Sequence, residues 1–301
     1  MSTDFVIGID LGGSSAKAVL AKADGEVLAK ANVAFDPAVP MGWLEAVRTA
    51  LRSLQEDPRA KHAPMGLSAP GLAAVDGRSI AFMPGRLAGL EGLDWTTALG
   101  AKQAVPVLND AHAALLAEVC VGAARGCRNV AMLTLGTGVG GAAMVDGHLL
   151  RGAIGRAGHF GHMSLDPRLP ADICGSPGSL EFCMGNYSIG ERSRNAFATT
   201  HDLIDAYNLG DQRAAEIWLA SVDALARGLT SIINVIDPEV ILLGGGIARA
   251  GASLFGPLEA RLRPIEWAAG GHQVPLKPAT LGEYAGAIGA AHNALQQAAT
   301  T

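Results

Sequence analysis

Aromatic residues are only 5% and charged residues only 17% of this 301-residue chain, and no dense run of Lys or Arg occurs anywhere in it. With a formal charge of −5, the chain lacks the electrostatic footprint of a polyanion binder, so no nucleic-acid partner is expected. Cysteine is equally scarce. Cys120, Cys127, Cys174 and Cys183 form no CxxC pair, and a chain of this length with 49% hydrophobic residues buries a core large enough to need no staples, so the four read as reduced thiols. No stretch approaches the apolar length that spans a bilayer. The opening MSTDFVIGID enters an apolar strand without a basic leader, so the expected location is cytoplasmic, with no membrane partner. Linkers and low-complexity segments are also missing.

Glycine is what the chain has in quantity, 39 residues, and it falls at the ends of apolar runs. Val6–Asp10 and Ala16–Ala21 read as strands around LGGSS, and Asp24-Gly25 turns the chain into a third strand, Val27–Val33. Residues 42–55 carry Trp43, Leu44, Val47, Leu51 and Leu54 at helical spacing. A short strand at Met65–Leu67 runs into the Pro-Gly turn at 70–71. Val105–Leu108 reads as a strand ending on Asn109-Asp110, with an Ala/Leu-rich helix after it through Val121. Further helices are expected at about 188–197, 201–208, 212–235 and 285–298, with a buried strand at Val240–Leu243. The segment VIGIDLGGSSAKAVLAKADGEVL at 6–28 is answered by VAMLTLGTGVGGAAMVDGHLL at 130–150, turn for turn. Such a repeat implies two similar α/β domains facing one another across a cleft.

Three glycine-rich turns can hold phosphate or nucleotide. In Asp10-Leu-Gly-Gly-Ser-Ser-Ala-Lys17, Gly12 and Gly13 let backbone N–H groups approach phosphate oxygens, and Asp10 can hold a metal-bound water. Gly136, Thr137 and Gly138 in LGTGVGG offer the same with an added hydroxyl, and Gly244 and Gly245 after Val240–Leu243 suit a purine and ribose close to backbone. The first two turns, taken singly, are explained at least as well as tight or bulged hairpins, and the third resembles a dinucleotide fingerprint without matching GxGxxG. Asn109-Asp110 at a strand end is open in the same way, between a helix N-cap and a catalytic pair.

Taken together, DLGGSSAK, SAPG at 68–71, NDAHAALLAE at 109–118, LGTGVGG, GRAGHFGH at 155–162, CGSPGSLE at 174–181 and LLGGGIA resemble the ROK (repressor, open reading frame, kinase) family of sugar kinases over about residues 5–292. The resemblance implies an actin/hexokinase-type (ribonuclease H-like) two-domain fold, with a smaller domain of residues 1–118 plus the helix at about 285–301 and a larger one of 119–284. It implies ATP-dependent phosphorylation of a hydroxyl, the 6-OH of a hexose or N-acylhexosamine, with Asp110 as general base. Asn109, His159, His162, Glu181 and Gly71 would bind the sugar, and Gly12, Gly13, Lys17, Gly136, Thr137, Gly138, Gly244 and Gly245 the nucleotide. Asp10 would assist Mg²⁺, and a homodimer is expected. Family repressors carry a helix-turn-helix ahead of the first strand, and this sequence has no room for one, which favours the kinase branch. A catalytically silent sugar sensor of the same fold is the alternative.

Three departures from the family pattern bear on the acceptor. The usual Glu-x-Gly-His reads His159-Phe-Gly-His162, so a carboxylate that accepts from two hydroxyls becomes an imidazole that accepts one hydrogen bond and donates one. Of the family's zinc-binding Cys-x-Cys-Gly-x-x-Gly-Cys-x-Glu, the cysteine positions hold Asp172, Cys174 and Ser179, while Glu181 remains, so no structural zinc is expected. Arg86-Leu87 stands where an Asn-Leu pair is common; Arg86 either meets an anionic substrate group or forms a rim salt bridge.

Overall fold

The computed structural model describes residues 4–300, which form two compact units. The first takes the chain up to Gly126, Arg151–Ala157 and everything from Leu281 onward; the second takes Cys127–Leu150 and Gly158–Thr280. Unit one therefore runs past residue 118 and recruits an internal segment. Glu118 explains part of this, because its wholly buried carboxylate accepts N–H bonds from Ala123 and Leu281 and ties both neighbourhoods to one helix end. The internal segment is held by a 3.0 Å contact of His112 Nε2 with the carbonyl of Ala157 and by Gly155, whose backbone presses on the carbonyl of Ala73.

In unit one, β1 (Phe5–Leu11), β2 (Ser15–Lys22) and β3 (Val27–Ala34) form an antiparallel meander, and α1 (Gly42–Gln55) follows. β4 (Met65–Ala69) lies parallel to β1, a small hairpin of β5 (Leu72–Ala73) and β6 (Ile80–Phe82) projects beyond it, and after α2 (Trp95–Ala98) the strand β7 (Val107–Asn109) lies parallel to β4. The sheet order is β3-β2-β1-β4-β7, and α3 (Asp110–Val121) leaves the last strand directly. β1 reads as an unbroken apolar run because both its faces are covered. On one face α1 buries Trp43, Leu44, Val47, Leu51 and Leu54; on the other lies the C-terminal helix Ala285–Thr300. That helix is rich in Ala and Gly because it packs backbone to backbone: a Cβ on Gly8 of β1 would collide with Ala287 and Ala291. β7 starts two residues later than the sequence suggests, since the Val105 N–H is taken by Thr96 Oγ1 and Pro106 has none to give.

Unit two repeats the plan. β8 (Val130–Leu135), β9 (Val139–Val145) and β10 (His148–Leu149) are antiparallel. The short helices α4 (Leu180–Met184) and α5 (Ile189–Ser193) precede α6 (Thr200–Asn208) and the 25-residue α7 (Gln212–Ile236). β11 (Val240–Gly244), α8 (Ala252–Leu262) and the edge strand β12 (Leu276–Pro278) complete it, in sheet order β10-β9-β8-β11-β12. The helix expected over 188–197 stops at Ser193 because Arg194 and Asn195 adopt left-handed backbone (φ 53° and 58°). Contrary to the sequence reading, α7 contains an 18-residue stretch apolar enough to cross a membrane by length and composition, although half of that stretch is buried within the protein. Its Trp218, Val222, Leu225 and Leu229 enter the core of unit two.

Candidate active site

Unit one brings two carboxylates to the C-terminal edge of its parallel strands, where open α/β sheets bind ligands. Asp10, near the end of β1, stands in register with Lys17 on β2 and Ser68 on β4. The Ser68 hydroxyl donates to Asp10 Oδ1 at 2.8 Å, and Lys17 Nζ lies 3.4 Å from Glu283 Oε2. Burial pushes the Asp10 carboxyl up to about 6; the Ser68 hydrogen bond and Lys17 pull it down, and the charge of Asp110 pushes it further up. Gly286 of the C-terminal helix leaves Asp10 its room, since a Cβ there would lie 2.5 Å from Oδ1. Beyond Asp10, the Gly12 N–H donates to the Ser15 carbonyl and closes the β1–β2 turn that also contains Gly13.

Asn109 and Asp110 turn out to have separate tasks. Asn109 is the N-cap of α3: its Oδ1 accepts from the N–H groups of Ala111 (3.0 Å) and His112 (3.3 Å), and its Nδ2 donates to the Gly71 carbonyl at 2.9 Å. The buried side chain of Asn109 and the Gly71 oxygen are thus engaged with each other. Asp110 sits in the first turn, exposed to solvent, with one oxygen accepting the Ala111 N–H at 2.8 Å. Dense protein around it disfavours the charged form and raises its pKa; the bonds from Ala111 and Asn109 and the charge of Arg86 oppose that without cancelling it. A carboxylate that is reachable and raised in basicity suits proton abstraction.

Unit two joins the second and third glycine turns. Gly244 pairs with Thr134 in the parallel ladder, and Gly245 (φ 88°) presses its backbone on Leu135, where no side chain would fit, just ahead of Gly136. The Gly136 and Thr137 carbonyls accept N–H bonds from Asn186 and Tyr187 (2.9 and 3.0 Å), which anchors the turn from the segment after α4, while the Cβ position of Gly136 faces open space. Glu181 bonds to this turn: its Oε2 accepts the Val139 N–H at 2.8 Å, and its carboxylate fills the space that a Cβ on Gly138 would take.

The histidine loop holds itself by hydrogen bonds. His159 and His162 stack with ring centroids 6.5 Å apart, and burial, then the neighbouring His162, lowers the His159 pKa, so its imidazole is neutral at neutral pH. His162 Nδ1 lies 2.8 Å from Asp172 Oδ2, and Asp172 Oδ1 accepts from the N–H groups of Cys174 and Ser176. Burial pushes Asp172 up, but the bonds from His162, Ser176 and Ser179 outweigh it and hold the carboxyl below the usual range. Cys174 Sγ is 3.5 Å from His162 Nε2, and burial with the nearby Asp172 and Glu181 charges raises its thiol. Ligand atoms of His162, Asp172 and Cys174 lie within 4.8 Å of one another. The donor set nevertheless does not fit structural zinc, which favours several thiolates: it offers a single sulfur, both Asp172 oxygens have partners, and Ser179 Oγ caps α4 by accepting the Phe182 N–H. Ser68 and Gly286 were missed as companions of Asp10, although Ser68 lay in plain sight at the end of a strand that had to neighbour β1.

A model of the ROK family matches residues 6–297. A glucokinase of Thermotoga maritima is 32% identical over 277 residues, covering 85% of this chain and 86% of that one. An N-acetylmannosamine kinase of Escherichia coli O157:H7 is 30% identical over 249 residues, with 81% and 84% coverage. Among solved structures, a ROK family glucokinase from Streptomyces griseus in complex with glucose and AMPPNP superposes with a TM-score of 0.78 at 25% identity, covering 97% of this chain and 99% of that one. The repeated sheets and these likenesses define a two-domain protein of the actin/hexokinase-type fold. The chain belongs to the ROK family.

Proposed function

We propose that the protein is an ATP-dependent sugar kinase that phosphorylates the 6-OH of a hexose or N-acylhexosamine. The observation that carries this is Asp110, solvent-reachable, raised in pKa and electrostatically coupled to Asp10 beside the β1–β2 glycine turn. Asp110 takes the proton of the attacking hydroxyl. The turns around Gly12 and Gly13, around Gly136, Thr137 and Gly138, and at Gly244 and Gly245 hold the nucleotide through backbone N–H groups, and Lys17 adds positive charge beside Asp10. Phosphoryl transfer asks mainly for positioning and charge stabilisation, and these parts are of that kind.

Asp10 fits a role toward Mg²⁺: one oxygen is bonded to Ser68, and burial together with the charge of Asp110 leaves its negative charge under-compensated. When bound, the ion neutralises phosphate charge. His159, neutral and able both to donate and to accept, reads sugar hydroxyls, and Asn109, Gly71, His162 and Glu181 bind the sugar with it. The reading includes a homodimer, supported by the family resemblance, and action in the cytoplasm, where ATP is supplied. A coupled ADP-release assay over hexoses and N-acylhexosamines tests it. Sugar-dependent ADP release is expected; sugar binding by calorimetry with no ADP release under any nucleotide would instead indicate a sensor.

A further inference from the structure

Arg86 lies on the loop between β6 and α2, and that loop is pinned rather than slack. Leu87 and Leu90 are buried, Trp43 Nε1 donates to the Ala88 carbonyl, the Gly92 N–H donates to the Ile80 carbonyl, and the Met83 N–H donates to Glu91 Oε1. Leu87 is held at φ 48°, a left-handed conformation that an L side chain adopts only when its surroundings impose it. This backbone carries the Arg86 guanidinium across the glycine turn: Nη2 lies 2.5 Å from where a Cβ on Gly13 would stand. Gly13, Met83, Arg86 and Glu91 face a groove of about 860 Å³. The rim salt bridge that the sequence allowed is not formed, for among the described residues Arg86 makes neither a hydrogen bond nor an ion pair. Its charge is nevertheless felt by Asp110.

From this geometry we infer that Arg86 is a phosphoryl ligand: its guanidinium binds non-bridging oxygens of the group in transfer from ATP to the acceptor hydroxyl. The inference rests on the sugar-kinase reading above. In the step, the acceptor oxygen forms a bond to the γ-phosphorus while the bond from that phosphorus to the oxygen bridging to ADP breaks. The hydroxyl proton passes to the Asp110 carboxylate, and ADP departs with the bridging electron pair. Negative charge spreads over the equatorial oxygens, where a planar guanidinium offers two parallel donors. Glycine at position 13 is what lets the cation approach the turn. An oxyanion on the acceptor itself, a sugar carboxylate or phosphate, has the same chemistry and would be the other source of the charge.

The test compares wild type, Arg86→Gln and Arg86→Lys with a neutral sugar, after confirming by thermal melting that the exposed substitutions leave the fold intact. Arg86→Gln is expected to lower kcat by about 10²–10³-fold, with the KM for sugar and the Kd for ADP little changed, and Arg86→Lys to recover part of the loss. Calorimetry with ADP, aluminium fluoride and sugar gives a readout apart from turnover: wild type should bind the mixture more tightly than ADP alone, and Arg86→Gln should lose that gain. Unchanged kcat and an unchanged fluoride gain overturn the assignment while leaving the kinase reading intact. So does a loss confined to anionic acceptors such as hexuronates, which would place the charge on the acceptor. Absence of sugar-dependent ADP release in wild type overturns both readings together.

Discussion

Asp10→Asn should make the protein more stable and less useful. In the folded state burial lifts the Asp10 carboxyl from 3.8 to about 6. Between those values the folded protein binds more protons than the unfolded chain, so stability falls as pH rises through the window and stays lower above it. A shift of about two units corresponds to roughly 3 kcal/mol, an upper figure because Asp10 is only partly buried and solvent screens its charge. Asparagine keeps an oxygen for the Ser68 hydroxyl at nearly the same shape but carries no charge to desolvate. Denaturant unfolding without Mg²⁺ or nucleotide should therefore show Asp10→Asn gaining about 2–3 kcal/mol near pH 8, with the gain vanishing below about pH 3, where Asp10 is protonated in the folded and the unfolded chain alike. Turnover should fall in the same variant, the familiar conflict between stability and a charged site. A variant no more stable than wild type near pH 8, or one whose gain is the same at both pH values, would rule out a buried, under-compensated charge at Asp10.

Gly138→Ala should displace the Glu181 carboxylate and break its bond to the Val139 N–H, weakening ATP binding by about tenfold or more, measured as the Kd for a non-hydrolysable analogue. Asp172→Ala should remove the centre of the histidine loop's hydrogen bonds at a cost of about 2–3 kcal/mol, read by denaturant titration, with activity in the wild type insensitive to phenanthroline. Loss of wild-type activity to the chelator, restored by zinc, would show that the loop is metal-held after all.

Local patterns made much of the fold readable. Helix 42–55 is bounded in the structure as its spacing indicates, and the two glycine hairpins sit at the ends of corresponding strands because both repeat an apolar run, a tight turn and a second apolar run. Elements without such periodicity escaped: β5 and β6 are too short to show alternation, and β12 is an edge strand of Leu, Lys and Pro. The membership of Arg151–Ala157 in unit one goes with contacts to His112 and Ala73, far away along the chain, which no local pattern encodes. At the site, Asn109 obeys the capping rule and Asp110, one residue later, does not, a distinction that needs the hydrogen bonds themselves. The degraded cysteine pattern carries no sign of the hydrogen bonds that the loop makes. That Asp172 would gather His162 and two backbone N–H groups is a property of the folded loop.

Whether Asp110 is the base of a sugar kinase is decided by single-turnover ADP release in Asp110→Asn with a saturating acceptor sugar. Asparagine keeps the first turn of α3 and cannot take a proton. A fall of about 10²–10⁴-fold in rate, with sugar and nucleotide affinities retained by calorimetry, is the predicted result. A rate near that of wild type would contradict it.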